Sequence, residues 1–183
     1  GMDYFVEAVA RMAEEHPEMK EHTGIAILGG HAEELEGRLA LPVYPIGYVS
    51  DQQRIRDVYN AADVFVLPSL EDNLPAVIDH LGYASDNLPN TIMEAMACGV
   101  PCVGFRVGGI PEMIDHRRNG YVAAERDARD LAEGIRWVLD EADYAALSEA
   151  AVAKVLHSYS QRSVAMQYLE VYNEAMAYKN FCL

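Results

Sequence analysis

The sequence predicts an α/β protein whose parallel sheet is covered by helices on both faces. Two observations carry the prediction. Short apolar runs alternate with stretches of helical periodicity from one end of the 183 residues to the other. The apolar runs are also continuous, as in ADVFVLPS (62–69), where a one-sided surface strand would alternate. Together they mean strands joined by helices and buried on both sides. No linker or low-complexity segment divides the chain, so residues 1–183 are expected to form one domain.

The elements follow in order. Residues 3–16 place Phe5, Val6, Val9 and Met12 at helical spacing with acids opposite. GIAILGG (24–30) reads as a strand ending in two glycines, and AEELEGRL as a helix. LPVYPIGYVS (41–50) is a second strand. Ser50 and Asp51 then look like the cap of a helix DQQRIRDVYNAA. ADVFVLPS is the third strand, VPCVGF (100–105) the fourth, and NGYVA (119–123) a fifth after an Asn-Gly turn. Residues 127–179 are helical, in three stretches: ARDLAEGIRWVLDEA, YAALSEAAVAKVLHS and QRSVAMQYLEVYNEAMAY. Tyr59, Tyr121 and Trp137 are expected as core or half-buried aromatics.

Composition narrows the function. Twenty-nine acids against fourteen bases give a net charge of −15, which argues against nucleic acid and against anionic lipid surfaces. No apolar run approaches the roughly 20 residues of a membrane span, and the start lacks a signal-peptide layout. Three cysteines without a CxxC or a partnering His pair do not make a zinc site; Cys98 and Cys102 fit a helix end and a strand as small hydrophobes. A reducing, cytoplasmic setting is expected.

The chemistry concentrates in DNLPNTIMEAMACGVPCVGF (86–105). In open parallel sheets ligands collect at the carboxyl ends of the strands, where loops run into helix N-termini. Asp86-Asn87-Leu88-Pro89 reads as turn and cap, and NTIMEAMAC as a helix closed by Gly99. Free amides from about Asn90, Thr91 and Ile92 would suit a phosphate or diphosphate. Glu94, within the first two turns, would repel a phosphate unless it met neutral hydroxyls, and a ribose diol meets that demand. Asp86 could reach another part of the same ligand. A plainer arrangement fits the spacing as well: Asp86 only caps the helix and Glu94 is a solvated helix residue.

SDNLPNTIMEAMACGVPCVGFRVGGIPEMI resembles the donor-binding signature of retaining glycosyltransferases of family 4, which have the GT-B fold. IAILGG, IGYVSDQQRIRDVYNAADVFVLPSLED and RRNGYVA resemble that family's neighbouring segments in the same order. The resemblance implies a Rossmann-like parallel sheet flanked by helices on both faces, the donor-binding C-terminal half of a glycosyltransferase. It implies transfer of a sugar from a nucleotide sugar (UDP-, GDP- or ADP-linked) to a glycan or lipid-linked acceptor in glycan biosynthesis, with retained configuration. Asp86 and Glu94 would be the catalytic-site acids, Asp86 at the donor sugar and Glu94 on the ribose hydroxyls. The amides of Asn90, Thr91 and Ile92 would meet the diphosphate, and Val49 would lie near the base. No metal or other cofactor is expected.

Three departures qualify that expectation. Asp86 stands where the family has a glutamate. DNLP also occurs earlier, at Asp72, in a copy that sets His80 opposite Glu94 and Ser85 opposite Gly99; only the second copy joins the complete helix. The strand expected before the first helix, with its Arg and Lys, is missing, as is the acceptor domain before it. A gap between neighbouring strands is therefore expected, closed by rearrangement, by another chain or not at all. The fragment is expected to be at best a weak nucleotide binder, inactive alone. The last helix would expose Val164, Tyr168, Leu169 and Tyr172 and invite self-association. The alternative function is a non-catalytic sugar-nucleotide-binding or interaction domain of the same fold. A sugar-nucleotide epimerase and a nicotinamide enzyme fit less well, the latter because no GxGxxG follows the first strand.

Among other residues, Gly108 and Gly109 are expected to form a tight turn with Pro111 in the next helical turn. Arg106 is the cation placed to help with phosphate, His31 a solvent-exposed residue after the glycines, and Glu112 a partner of the helix dipole.

Overall fold

The computed structural model describes residues 1–30, 32–70 and 88–181, with side chains through Ala177. Asp72, His80, Ser85 and Asp86 of the doubled segment, and His31, lie outside the described residues.

Helix α1 (Met2–Glu15) buries Ala8, Val9, Met12 and Ala13, a stripe of helical period, and α2 (Met19–His22) adds a single turn. Strand β1 (Ile25–Leu28), α3 (Ala32–Glu36) and β2 (Val43–Gly47) come next. Helix α4 (Gln52–Asn60) starts at Asp51, whose carboxylate accepts the Arg54 amide at 2.8 Å. Strand β3 is Phe65–Leu67, shorter than the apolar run that foretold it.

After the undescribed segment come α5 (Asn90–Ala97), β4 (Cys102–Phe105), α6 (Ile110–Met113) and β5 (Gly120–Ala123). Helix α7 (Ala128–Arg136) is capped by Asp127, which accepts the Arg129 and Asp130 amides, both at 3.0 Å. It loosens into a π-helical turn, Trp137–Glu141, where one longer α-helix was expected. Helices α8 (Tyr144–Ser158) and α9 (Gln161–Phe181) finish the chain.

All strand pairings are parallel, but they make two sheets, β1-β2 and β3-β4-β5, which share no pairing among the described residues. Strand β4 is central in the larger sheet, and every residue of β4 and β5 is buried. Helix α7 packs on β4 and β5 on one side and against α1 on its own, while α5 packs on β3, β4 and α8. Pro45 sits inside β2, which only an edge strand tolerates.

Gly99 ends α5 with φ +76°, a left-handed conformation costly for any side chain, and a Cβ there would stand 2.6 Å from Ser148 Oγ. One position thus stops the helix and lets α8 approach. Asn119 is the buried polar residue of the core. Its Oδ1 accepts the Asp115 amide at 2.9 Å, and its Nδ2 donates to the Met113 carbonyl at 3.3 Å, tying α6 to β5.

Candidate functional site

Parallel pairing puts the carboxyl ends of β3, β4 and β5 on one edge of the larger sheet, and those of β1 and β2 on one edge of the smaller. At the β1-β2 edge, Gly29 (φ +106°) donates its amide to the Gly47 carbonyl at 2.8 Å, and Gly47 has φ +72°. A Cβ at Gly29, Gly30 or Gly47 would touch nothing within 4 Å. Gly29 and Gly47 therefore serve backbone shape. Tyr48, 88% exposed, and the half-buried Val49 follow in the loop before α4.

At the β3 edge the chain re-enters at Leu88, exposed, and Pro89, buried, and passes into α5. Pro89 is the N-cap, in extended conformation, and no side chain caps the helix among the described residues. Asn90 and Thr91 are exposed there. Ile92 corrects the expectation: its amide is not free but donates to the Pro89 carbonyl at 3.1 Å, and its side chain is fully buried. The first turn closes with an i to i+3 bond, common at helix starts, which uses the third amide. The candidate amides for an anion narrow to those of Asn90 and Thr91.

Glu94 stands one turn beyond Asn90 on the exposed face of α5. Its Oε2 accepts a hydrogen bond from the Tyr59 hydroxyl at 3.2 Å. Tyr59 itself is only 3% exposed, and its ring meets Phe65 edge-on at 5.7 Å. Burial first, and then the Glu94 charge, hold this phenol well above its ordinary range, so it is a permanent donor. Sequence reading took Tyr59 as a core aromatic and missed its polar end. The signal was there, because a buried tyrosine hydroxyl needs a partner and α4 ends just before β3.

One turn after Glu94 comes Cys98, half-buried at the end of α5. Burial is the main cause raising its thiol, with Arg56 pulling the other way and Glu94 adding to the rise. Cys102 lies fully buried in β4, its thiol also raised by burial. The two lie at a helix end and in a strand, where their sequence context put them.

Beyond β4, Arg106 is exposed, and its amide donates to the Ala123 carbonyl at 2.8 Å. Gly108 (φ +49°) and Gly109 make the tight turn, and Pro111 falls in the first turn of α6 beside Glu112, as expected. The site's residues thus come from three loops. Asn90, Thr91 and Glu94 share one helix face, Arg106 stands at the next strand end, and Val49 at the edge of the other sheet. No group of three or more His, Cys, Asp or Glu side chains that could hold a metal exists among the described residues. No helix among them is long and apolar enough to cross a membrane.

The arrangement is a Rossmann-like α/β fold of the GT-B glycosyltransferase class. Two solved structures share it: sucrose-phosphate synthase from Thermosynechococcus elongatus (TM-score 0.68, 23% identity, 97% of this chain and 43% of that one) and HepE of Anabaena in complex with UDP-glucose (TM-score 0.69, 20% identity, 95% and 45%). The family model "Glycosyl transferases group 1" matches residues 1–141, and the chain belongs to that family. It is similar to an amylovoran biosynthesis glycosyltransferase of Erwinia amylovora, 38% identical over 121 residues (66% of this chain, 28% of the relative). It is also similar to the N-acetyl-alpha-D-glucosaminyl L-malate synthase of Bacillus anthracis, 28% identical over 130 residues (70% and 30%). The chain spans about 30% of these curated relatives' length.

Proposed function

We propose that this chain is the donor-binding part of a retaining glycosyltransferase and takes a nucleoside diphosphate sugar at the edge where β3 runs into α5. The observation that carries the reading is the placement of Glu94: an exposed carboxylate one turn above the start of α5, in a member of the group 1 family. Asn90 and Thr91 face the diphosphate with amides and the positive end of the helix dipole. Glu94 accepts hydrogen bonds from the ribose hydroxyls, whose neutrality lets a carboxylate stand beside a phosphate. Arg106 adds positive charge from the neighbouring strand end. HepE, a relative in fold, binds UDP-glucose, and a UDP-sugar is the first ligand to try.

In this reading no metal takes part, because amides, dipole and Arg106 offset the phosphate charge. Transfer to a glycan or lipid-linked acceptor belongs to the whole protein, with Asp86 at the donor sugar by family resemblance. The setting is cytoplasmic, where nucleotide sugars serve glycan biosynthesis.

Thermal unfolding with UDP, GDP and ADP, each alone and as its sugar conjugate, tests the reading in wild type and Glu94→Ala. A ligand at a hundred times its Kd adds about 2.7 kcal/mol of stability. One base should stabilise the wild type, chelator should not matter, and Glu94→Ala should lose the shift. A cooperative melt that no nucleotide moves would sink the proposal.

A further inference from the structure

Resting on the donor-site reading of Glu94, we propose that Tyr59 is a positioning residue: its hydroxyl holds one carboxylate oxygen of Glu94 so that the other faces the ribose diol. An exposed glutamate on a helix has three torsions to order before it can meet a ligand, and that ordering weakens binding. Tyr59 removes part of the cost in advance. Its ring is fixed by burial and by the edge-on contact with Phe65, so the hydroxyl is a stationary post at the base of the site. The bond to Oε2 at 3.2 Å uses one of the carboxylate's acceptor positions. Oε1 and the remaining lone pairs stay available, enough for two sugar hydroxyls.

The direction of the bond is also fixed. The phenol is the donor, so it takes one acceptor position on Oε2 and leaves those on Oε1 to the diol. Cys98, one turn along, is half-buried and offers no comparable donor. Arg56, the cation that acts on Cys98, lies on the exposed side of α4. Tyr59 is thus the buried member of this group, and its polar atom meets Glu94 from below.

The test is calorimetric titration of the nucleoside diphosphate that stabilises the chain, and of its 2′,3′-dideoxy counterpart. Both go into wild type, Tyr59→Phe, Glu94→Ala and the double variant. Tyr59→Phe removes one oxygen and keeps the ring on Phe65, and Glu94→Ala reaches the same pair from the solvent side, so the comparison does not depend on one variant.

Tyr59→Phe should weaken the ribonucleotide roughly three- to tenfold, the range of one ordinary hydrogen bond, and leave the dideoxy ligand unchanged. In the Glu94→Ala background it should add nothing. A merely structural tyrosine would weaken both ligands alike, or would act equally with and without Glu94, and either result overturns the positioning role. A wild type that prefers the ribonucleotide, with a preference removed by Glu94→Ala and kept by Tyr59→Phe, overturns it while leaving the donor site standing. A wild type that binds neither ligand overturns the donor site, and Tyr59's role with it.

Discussion

The two sheets of this molecule are built from similar apolar runs, yet they differ in how completely they are covered. All residues of β4 and β5 are buried, whereas none of β1 or β2 is. Among the described residues the larger sheet has α5 on β3 and β4, and α7 on β4 and β5, while β2 packs mainly with the short α3. Burial is therefore set by the helices that happen to lie on a strand, and not by the strand's own residues. The glycine loop and Val49 hang from the lightly covered sheet, and Glu94 from the heavily covered one. Any ligand bridging them would join a stiff part of the molecule to a softer one.

Paired substitutions at glycine separate the two regions most sharply. A Cβ at Gly120 would lie 2.1 Å from the Cys102 carbonyl oxygen, with further backbone at 3.0 Å, and backbone in a buried central strand has nowhere to go. Gly120→Ala should cost about 3 kcal/mol or more. At Gly30 a Cβ meets nothing within 4 Å and no positive φ is involved, so Gly30→Ala should stay within about 0.5 kcal/mol. Equal losses in denaturant melts of the two variants would mean that the sheets are equally packed.

Hydrogen exchange draws the same contrast without mutation. Amides of Val103, Phe105 and Val122 should exchange only through global unfolding, a few kcal/mol above those of Ile25, Ala26 and Tyr44 in the smaller sheet. The distinction fails if both sets share one opening free energy.

Much of this was legible in the sequence because it has a local cause. Period and continuity marked each strand, Asp51 announced its cap, and Gly99 its helix end. What stayed hidden depends on distant partners or on fine geometry. The pairing into two sheets is one such case, since pairing order leaves no periodic trace. The turn at Met19–His22 is too short for a pattern, and the widening at Trp137–Glu141 keeps the helical period that concealed it.

At the site, Glu94 and its exposed face could be read from the helix, but the loss of the Ile92 amide could not. It depends on how tightly the first turn winds behind Pro89, which residue types do not report. Tyr59 was visible as an aromatic. That its hydroxyl finds Glu94, 35 residues away, is a tertiary fact.

A further effect belongs to the larger sheet and changes with pH in alkaline solution. Tyr121 in β5 is 4% exposed and donates to Asp130 of α7 at 2.7 Å. Burial foremost, and then the Asp130 carboxylate, raise its phenol from 10.0 to about 12. Between those values the unfolded chain has released this proton and the folded chain still holds it. The unfolded state then binds fewer protons, so stability falls as pH rises, and below about pH 10 the contribution is fully present.

Tyr121→Phe should cost about 1 kcal/mol at neutral pH for the lost hydrogen bond, yet flatten the decline above pH 10. Denaturant midpoints at pH 7, 9 and 11 check both halves. Curves for wild type and variant that stay parallel through pH 11 would show that the tie between β5 and α7 does not titrate with Tyr121, and that the strength of this sheet rests on packing alone.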